Sequence, residues 1–118
     1  MLEQNTNPLE VLVGSHLSAV VFVQDYVQLQ FDGPGLTAIT QPRVDLLNET
    51  YGWGMPEYRN VLCDQIGKLV RRAFTIEGQE IQIQFKDGSS ITISLRPEDY
   101  RAAEAAHFNN PPNPTYVW

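Results

Sequence analysis

Alternation of apolar and polar residues, a repeated Asp-Gly turn and one helical stripe predict an α+β, mainly β domain. The expected form is a duplicated three-stranded β-meander, about six strands in a curled sheet or half-open barrel, with one helix between the halves and a short C-terminal helix; two sheets packed as a sandwich are the alternative. The alternation is plainest in Ile81–Leu95, where Ile81, Ile83 and Phe85, then Ile91, Ile93 and Leu95, face one side while Gln82, Gln84, Thr92 and Ser94 face the other. Asp87-Gly88 between the runs supplies the positive φ of a tight reversal. An earlier version, Gln28-Leu29-Gln30-Phe31-Asp32-Gly33, is followed by Leu36-Thr37-Ala38 and closed by Pro42 where the later one has Pro97.

Taken in order, residues 1–8 are polar, aperiodic and end in Asn7-Pro8, which reads as a loose tail. Leu9, Val11, Leu12 and Val13 form a short strand or helical turn before Gly14. Leu17–Val23 is a strand apolar on both faces, with Leu17, Ala19, Val21 and Val23 on one and Val20 and Phe22 on the other, so it is expected to be covered on both sides. Val27, Leu29 and Phe31 form the inward face of the next strand, and after Asp32-Gly33-Pro34-Gly35 the chain reverses into Leu36–Thr40, completing a first meander over 14–42. Residues 41–55 read as irregular, anchored by Val44, Leu46 and Leu47.

The linking helix is expected over 56–67. Pro56 suits the first turn, Glu57 the N-terminal dipole and Gly67 the left-handed C-terminal position, while Tyr58, Val61, Leu62 and Ile66 make one apolar stripe. The second meander, 68–97, aligns Leu69 with Leu17 and Phe74 with Phe22. Phe22, Phe31, Phe74 and Phe85 are then expected to meet in one core. Arg96-Pro97-Glu98-Asp99-Tyr100 reads as a helix start, with alanine-rich Arg101–Phe108 as its body and Asn109–Pro114 as its end. Thr115–Trp118 is β-prone.

The 118 residues suit a single domain spanning 1–118, able to build one core without disulfides or metals. Hydrophobic content of 42% and charged content of 19% argue against wholesale disorder and against a membrane protein. The N-terminus has no basic region followed by an apolar run, and the cytoplasm is the expected location. The net charge of −6 is uneven, with six acids against Arg43 alone in residues 1–55. Nucleic-acid binding needs a concentrated positive field, and Lys68, Arg71 and Arg72 are the only basic cluster.

No motif carries catalysis, and the chain is read as a non-enzyme without cofactor or metal. His16 and His107 belong to no metal or triad spacing, and Cys63 has no Cys-x-x-Cys partner. Glu98 and Asp99 suit a first helical turn better than an acid/base pair across a cleft, and Asp32-Gly33 and Asp87-Gly88 lack the further oxygens of a calcium loop. Gly33-Pro34-Gly35 and Gly52-Trp53-Gly54 match no phosphate-cradling pattern. The best functional candidate is the aromatic loop bearing Tyr51, Trp53 and Met55 with Tyr58 beyond it, a composition found at interface anchors. Tyr116 and Trp118 pose the same choice between an outward anchor and a lid on the core.

From Gln82 to Tyr100, where an Asp-Gly hairpin runs into Ser-Leu-Arg-Pro-Glu-Asp-Tyr, the sequence resembles a family of small bacterial proteins, a domain of unknown function. Phe22–Phe31 strengthens the likeness. The resemblance implies no activity, cofactor or catalytic residue. Compact β-rich domains of this kind also occur among bacterial immunity proteins that plug a toxin's active site, a likeness of fold alone. The expected function is therefore a non-catalytic protein-interaction module, binding a protein partner or itself as a homodimer. The alternatives are a small-molecule binding domain with a cavity between the meanders, or an immunity-type inhibitor.

Overall fold

The computed structural model describes residues 7–118. Its ten strands are β1 (Leu17–Val23), β2 (Tyr26–Phe31), β3 (Gly35–Ala38), β4 (Arg43–Asp45), β5 (Thr50–Tyr51), β6 (Val70–Ile76), β7 (Glu80–Phe85), β8 (Ser90–Ser94), β9 (Ala106–Asn109) and β10 (Tyr116–Val117). A single α-helix, α1 (Tyr58–Cys63), precedes β6, and 3₁₀ segments cover Pro8–Leu12 and Pro97–Asp99. The mainly β class holds, with two antiparallel sheets and no closed barrel among the described residues. One sheet has the order β1-β2-β3-β9-β10 and the other β5-β4-β8-β7-β6. Consecutive strands β1–β3 and β6–β8 form a meander in each sheet, and the following pair of strands crosses to the opposite sheet: β4 pairs with β8, and β9 with β3.

The sheets touch edge to edge where β1 and β6 begin. Gly14 N–H donates to Val70 O (3.0 Å) and Gly67 N–H to Leu17 O (2.7 Å); Val70 N–H donates to Ser15 O (2.8 Å) and Leu17 N–H to Lys68 O (3.1 Å). His16 and Leu69 form a bridge between these bonds. Gly14 and Gly67 both have positive φ, 89° and 93°, which only glycine adopts freely. Just beyond, each edge strand carries a bulge, between Leu17 and Ala19 in β1 and between Val70 and Arg72 in β6.

Alternation explains the core. Leu29, Phe31, Leu36, Ala38, Val44, Ile81, Ile83, Phe85, Ile91, Ile93, Ala106 and Phe108 bury one face of each sheet in a single cluster. Leu9 and Leu12 of the first 3₁₀ segment and Tyr58 and Leu62 of α1 pack into the same cluster.

Several expectations are corrected. Leu17 and Val70 occupy matching places, opposite Phe31 and Phe85 respectively, so aligning Leu69 with Leu17 slips the repeat by one residue. A one-residue slip in a strand changes the face. Phe22 lies opposite Val27 on the core side at the open end of β1, whereas Phe74 lies opposite Gln82 on the outer side. Only Phe31 and Phe85 of the four rings are buried.

The alanine-rich stretch is no helix: Ala105 and Ala106 are fully buried, and Ala106-His107-Phe108 runs as β9. Alanine's helix preference amounts to a few tenths of a kcal/mol per residue, about 0.5, and pairing with β3 and burial of Phe108 exceed it. Residues 41–55 hold strands of three and two residues, too short for a periodic signal. The helix between the meanders spans Tyr58–Cys63 rather than 56–67. Of the expected tail 1–8, residues 1–6 lie outside the described residues; Asn7 is fixed, its side chain accepting from Leu9 N–H and donating to Ala73 O.

Candidate interaction surface

Each half ends on the same four-residue pattern, Thr50-Tyr51-Gly52-Trp53 and Thr115-Tyr116-Val117-Trp118. In both, the tyrosine sits in the last short strand, Tyr51 opposite Val44 and Tyr116 opposite Phe108. The tryptophan then turns toward the hairpin tip of the other sheet. Trp53 lines a cleft of about 240 Å³ with Phe22, Val23, Tyr26 and Arg59. Trp118 lines one of about 720 Å³ with Pro8, Phe74, Thr75, Glu77 and Leu95.

The first cleft holds the more exposed tryptophan. Trp53 is 58% exposed, Met55 42% and Phe22 36%. The Arg59 guanidinium lies 6.0 Å from the Phe22 ring centre and 5.9 Å from that of Trp53, within reach of cation–π attraction to both. Met55 and Trp53 also line a contiguous hollow of about 320 Å³ with Pro56 and Arg59.

Tyr58 leaves the candidate set: it is 2% exposed, its ring edge-on to Trp53 at 6.0 Å, and its hydroxyl donates to Pro42 O at 2.5 Å. Burial pushes its phenol up to about 12. Tyr51 is half-buried, and its hydroxyl donates to Glu49 Oε1 (2.9 Å); that bond, then desolvation and the charges of Glu49 and Glu57, raise its pKa. Tyr116 is exposed and its ring lies tilted by 49° against that of the half-buried Trp118, 4.6 Å between centres. The six sequence candidates thus divide into Trp53 and Met55 in one patch, Tyr116 and Trp118 in another, and Tyr51 and Tyr58 in the framework. Phe22 and Arg59 were not signalled as site residues. The matching Thr-Tyr-x-Trp patterns were the signal available, because they pair the two ends and point to what each tryptophan touches.

The groups considered for catalysis are engaged locally. The His16 backbone N–H donates to Asp32 Oδ2 (3.1 Å) and its ring Nδ1 lies 3.7 Å from the same oxygen, while His107 Nε2 lies 2.6 Å from Glu104 Oε1. Cys63 is exposed at the end of α1. Asp99 Oδ2 accepts from Ser94 Oγ (2.6 Å). Desolvation pushes the Asp87 carboxyl up, but hydrogen bonds from Lys68 and from the Ser89 hydroxyl and N–H, with the Lys68 charge, outweigh it and hold it at about 2. Among the described residues no group of three His, Cys, Asp or Glu side chains is placed to hold a metal ion, and no helix is long and apolar enough to cross a membrane.

Comparison with family models, with curated proteins and with solved structures finds no match in any of the three.

Proposed function

We propose that the chain is a non-catalytic protein-interaction module whose contact surface is the Phe22–Trp53–Met55–Arg59 patch. The observation that carries it is the exposure of Trp53 beside Phe22 and beneath an arginine. Tryptophan and arginine are among the side chains that most often dominate binding energy, and contiguous exposed apolar groups mark interaction sites. An immunity-type inhibitor would employ the same surface, and the cytoplasm is the compartment proposed for it. The matching order of elements in the two halves supports the reading that the chain arose by internal duplication, and the Gln82–Tyr100 resemblance supports a place among small bacterial proteins. Affinity capture with the parent and with Trp53→Ala tests the function: a partner retained by the parent and lost by the variant supports it, and equal recovery by both removes it.

A second reading, a small-molecule binding domain, rests on the larger cleft. Among the described residues Thr75 Oγ1 is buried there without a hydrogen-bond partner, and Phe74 and Trp118 offer apolar walls. Quenching of Trp118 fluorescence in a Trp53→Phe background during a ligand screen reads this cleft separately from the first.

A further inference from the structure

We propose that the open edge of β1 is a self-association site, at which a second copy of this chain adds its own β1 antiparallel across a twofold axis through Val21. The edge is distinct from the aromatic patch, although Phe22 borders both.

The outer edges of β1 and β6 occupy corresponding places in the two sheets and are finished differently. On β6 the Ala73 carbonyl accepts from Asn7 Nδ2 (2.8 Å), and the Pro8–Leu12 segment packs against the strand. Arg71 and Arg72 are exposed charges, with Arg72 lying 4.6 Å over the Phe74 ring. Charge and cover are the usual guards against edge-to-edge pairing. On β1 the run Ser18-Ala19-Val20-Val21-Phe22-Val23 holds no charge; α1 touches this strand and Arg59 lies 6.0 Å from the Phe22 ring, but among the described residues no side chain bonds the backbone of Val20 or Phe22. Its sequence is that of a strand covered on both faces, yet Phe22 and Val23 are 36% and 40% exposed.

The backbone is available. Val23 and Tyr26 flank a two-residue turn and so form a hydrogen-bonded pair; the alternation then makes Val21 with Gln28 and Ala19 with Gln30 bonded pairs. The N–H and C=O groups of Val20 and Phe22 therefore point away from β2, and among the described residues no backbone bond outside the sheets reaches them. The usable run is bounded by the bulge between Leu17 and Ala19 at one end and the Gln24-Asp25 turn at the other, leaving 19–23 with Val21 at its centre.

A second copy of β1 fits this run. Placed with Val21 opposite Val21, it pairs Val20 with Phe22 of the second copy and Phe22 with its Val20, so every outward-pointing backbone group of the run is bonded. On one face Ala19 then meets Val23 of the second copy, Val21 meets Val21 and Val23 meets Ala19, while Val20 and Phe22 meet on the other. No charge is buried, and a one-residue shift would mismatch the faces. A five-residue strand pair is smaller than the roughly 1,200 Å² of a tight complex, so dissociation in the micromolar range is expected.

Sedimentation and light scattering of the full chain from about 1 µM to about 1 mM, in the range expected for a small interface, provide the test. A reversible monomer–dimer transition is expected, with Val21→Lys monomeric throughout because two like charges would face each other across the axis. In a Cys63→Ser background, Val21→Cys is expected to cross-link under mild oxidation and Ala19→Cys to remain uncross-linked, since only Val21 meets its own copy. Amide exchange at Val20 and Phe22 should slow with concentration while Val21 stays constant; this reading stands even if Val21→Lys fails to fold. A chain monomeric over the whole range, or exchange at Val20 and Phe22 independent of concentration, would overturn the proposal. So would a dimer that Val21→Lys leaves intact, or protection of β1 by an unrelated peptide alone. Trp53→Ala, which tests the partner surface, is expected to leave the β1 dimer in place, so the two readings fail separately.

Discussion

β1 and β6 start from the same junction, carry a bulge at the same place and pair with the same kind of second strand, yet one edge is closed and the other open. The frame of each half is set by inward residues such as Phe31 and Phe85, which match. The finish of each edge is set by a few residues outside that frame: Asn7, Arg71 and Arg72 on β6, against α1 with Arg59 beside β1, where among the described residues no side chain bonds the backbone of Val20 or Phe22. Constancy inside and divergence at the rim is the pattern expected when packing fixes one set of residues and contacts with other molecules fix the other.

The largest expected effect tests the matching frames. Phe31→Ala and Phe85→Ala should each cost about 3–5 kcal/mol in chemical denaturation, and Phe22→Ala and Phe74→Ala about 1 kcal/mol or less, because only the first two rings leave a cavity in the core. A Phe74→Ala cost equal to that of Phe85→Ala would break the assignment of faces. Tyr58→Phe should cost about 1–3 kcal/mol by leaving the Pro42 carbonyl unpaired. With the folded phenol raised to about 12 against an ordinary value near 10, its stabilisation is complete below about pH 10 and lost as pH rises through 10 towards 12. An alkaline melting series should show that loss in the parent and not in Tyr58→Phe.

Asn7→Ala sharpens the comparison of edges. It removes the cap on Leu9 N–H and the bond to Ala73 O, at a cost of about 1 kcal/mol, and should speed amide exchange along β6 without altering β1. The smallest effect belongs to Asp87. Its carboxyl is held at about 2 when folded against roughly 3.9 when unfolded, so its contribution is present above about pH 4 and disappears as pH falls from 4 to 2. Half of the side chain is exposed, and solvent screening limits the term to about 0.5 kcal/mol, read as a shallower acid limb in Asp87→Asn.

The strands that alternate over five or more residues, β2, β7 and β8, were legible in sequence, as were their inward residues. Pairing was not. Arg43-Val44-Asp45 is too short to announce a strand, and nothing local says that Val44 will lie opposite Ile91 rather than beside its own meander. Ala102–Ala106 carries a genuine helix preference that non-local pairing overrides. Trp53 is exposed and Tyr58 buried; Tyr58 already belonged to the apolar stripe of α1, and for that residue the stripe was the better guide. The double-sided apolar pattern of β1 promised cover that the chain provides only in part: Leu17 and Val20 join the core, whereas Phe22 and Val23 stay exposed, and the mismatch could be seen only once the strand was placed at an edge.

Because each half hands its last two strands to the other's sheet, the molecule is clasped rather than merely stacked. A cut in the Gly52–Pro56 loop would sever the backbone but free neither piece, since β4 would stay bonded to β8 and β9 to β3 across the break. Neither fragment on its own could complete a five-stranded sheet, so the two should regain structure only when mixed.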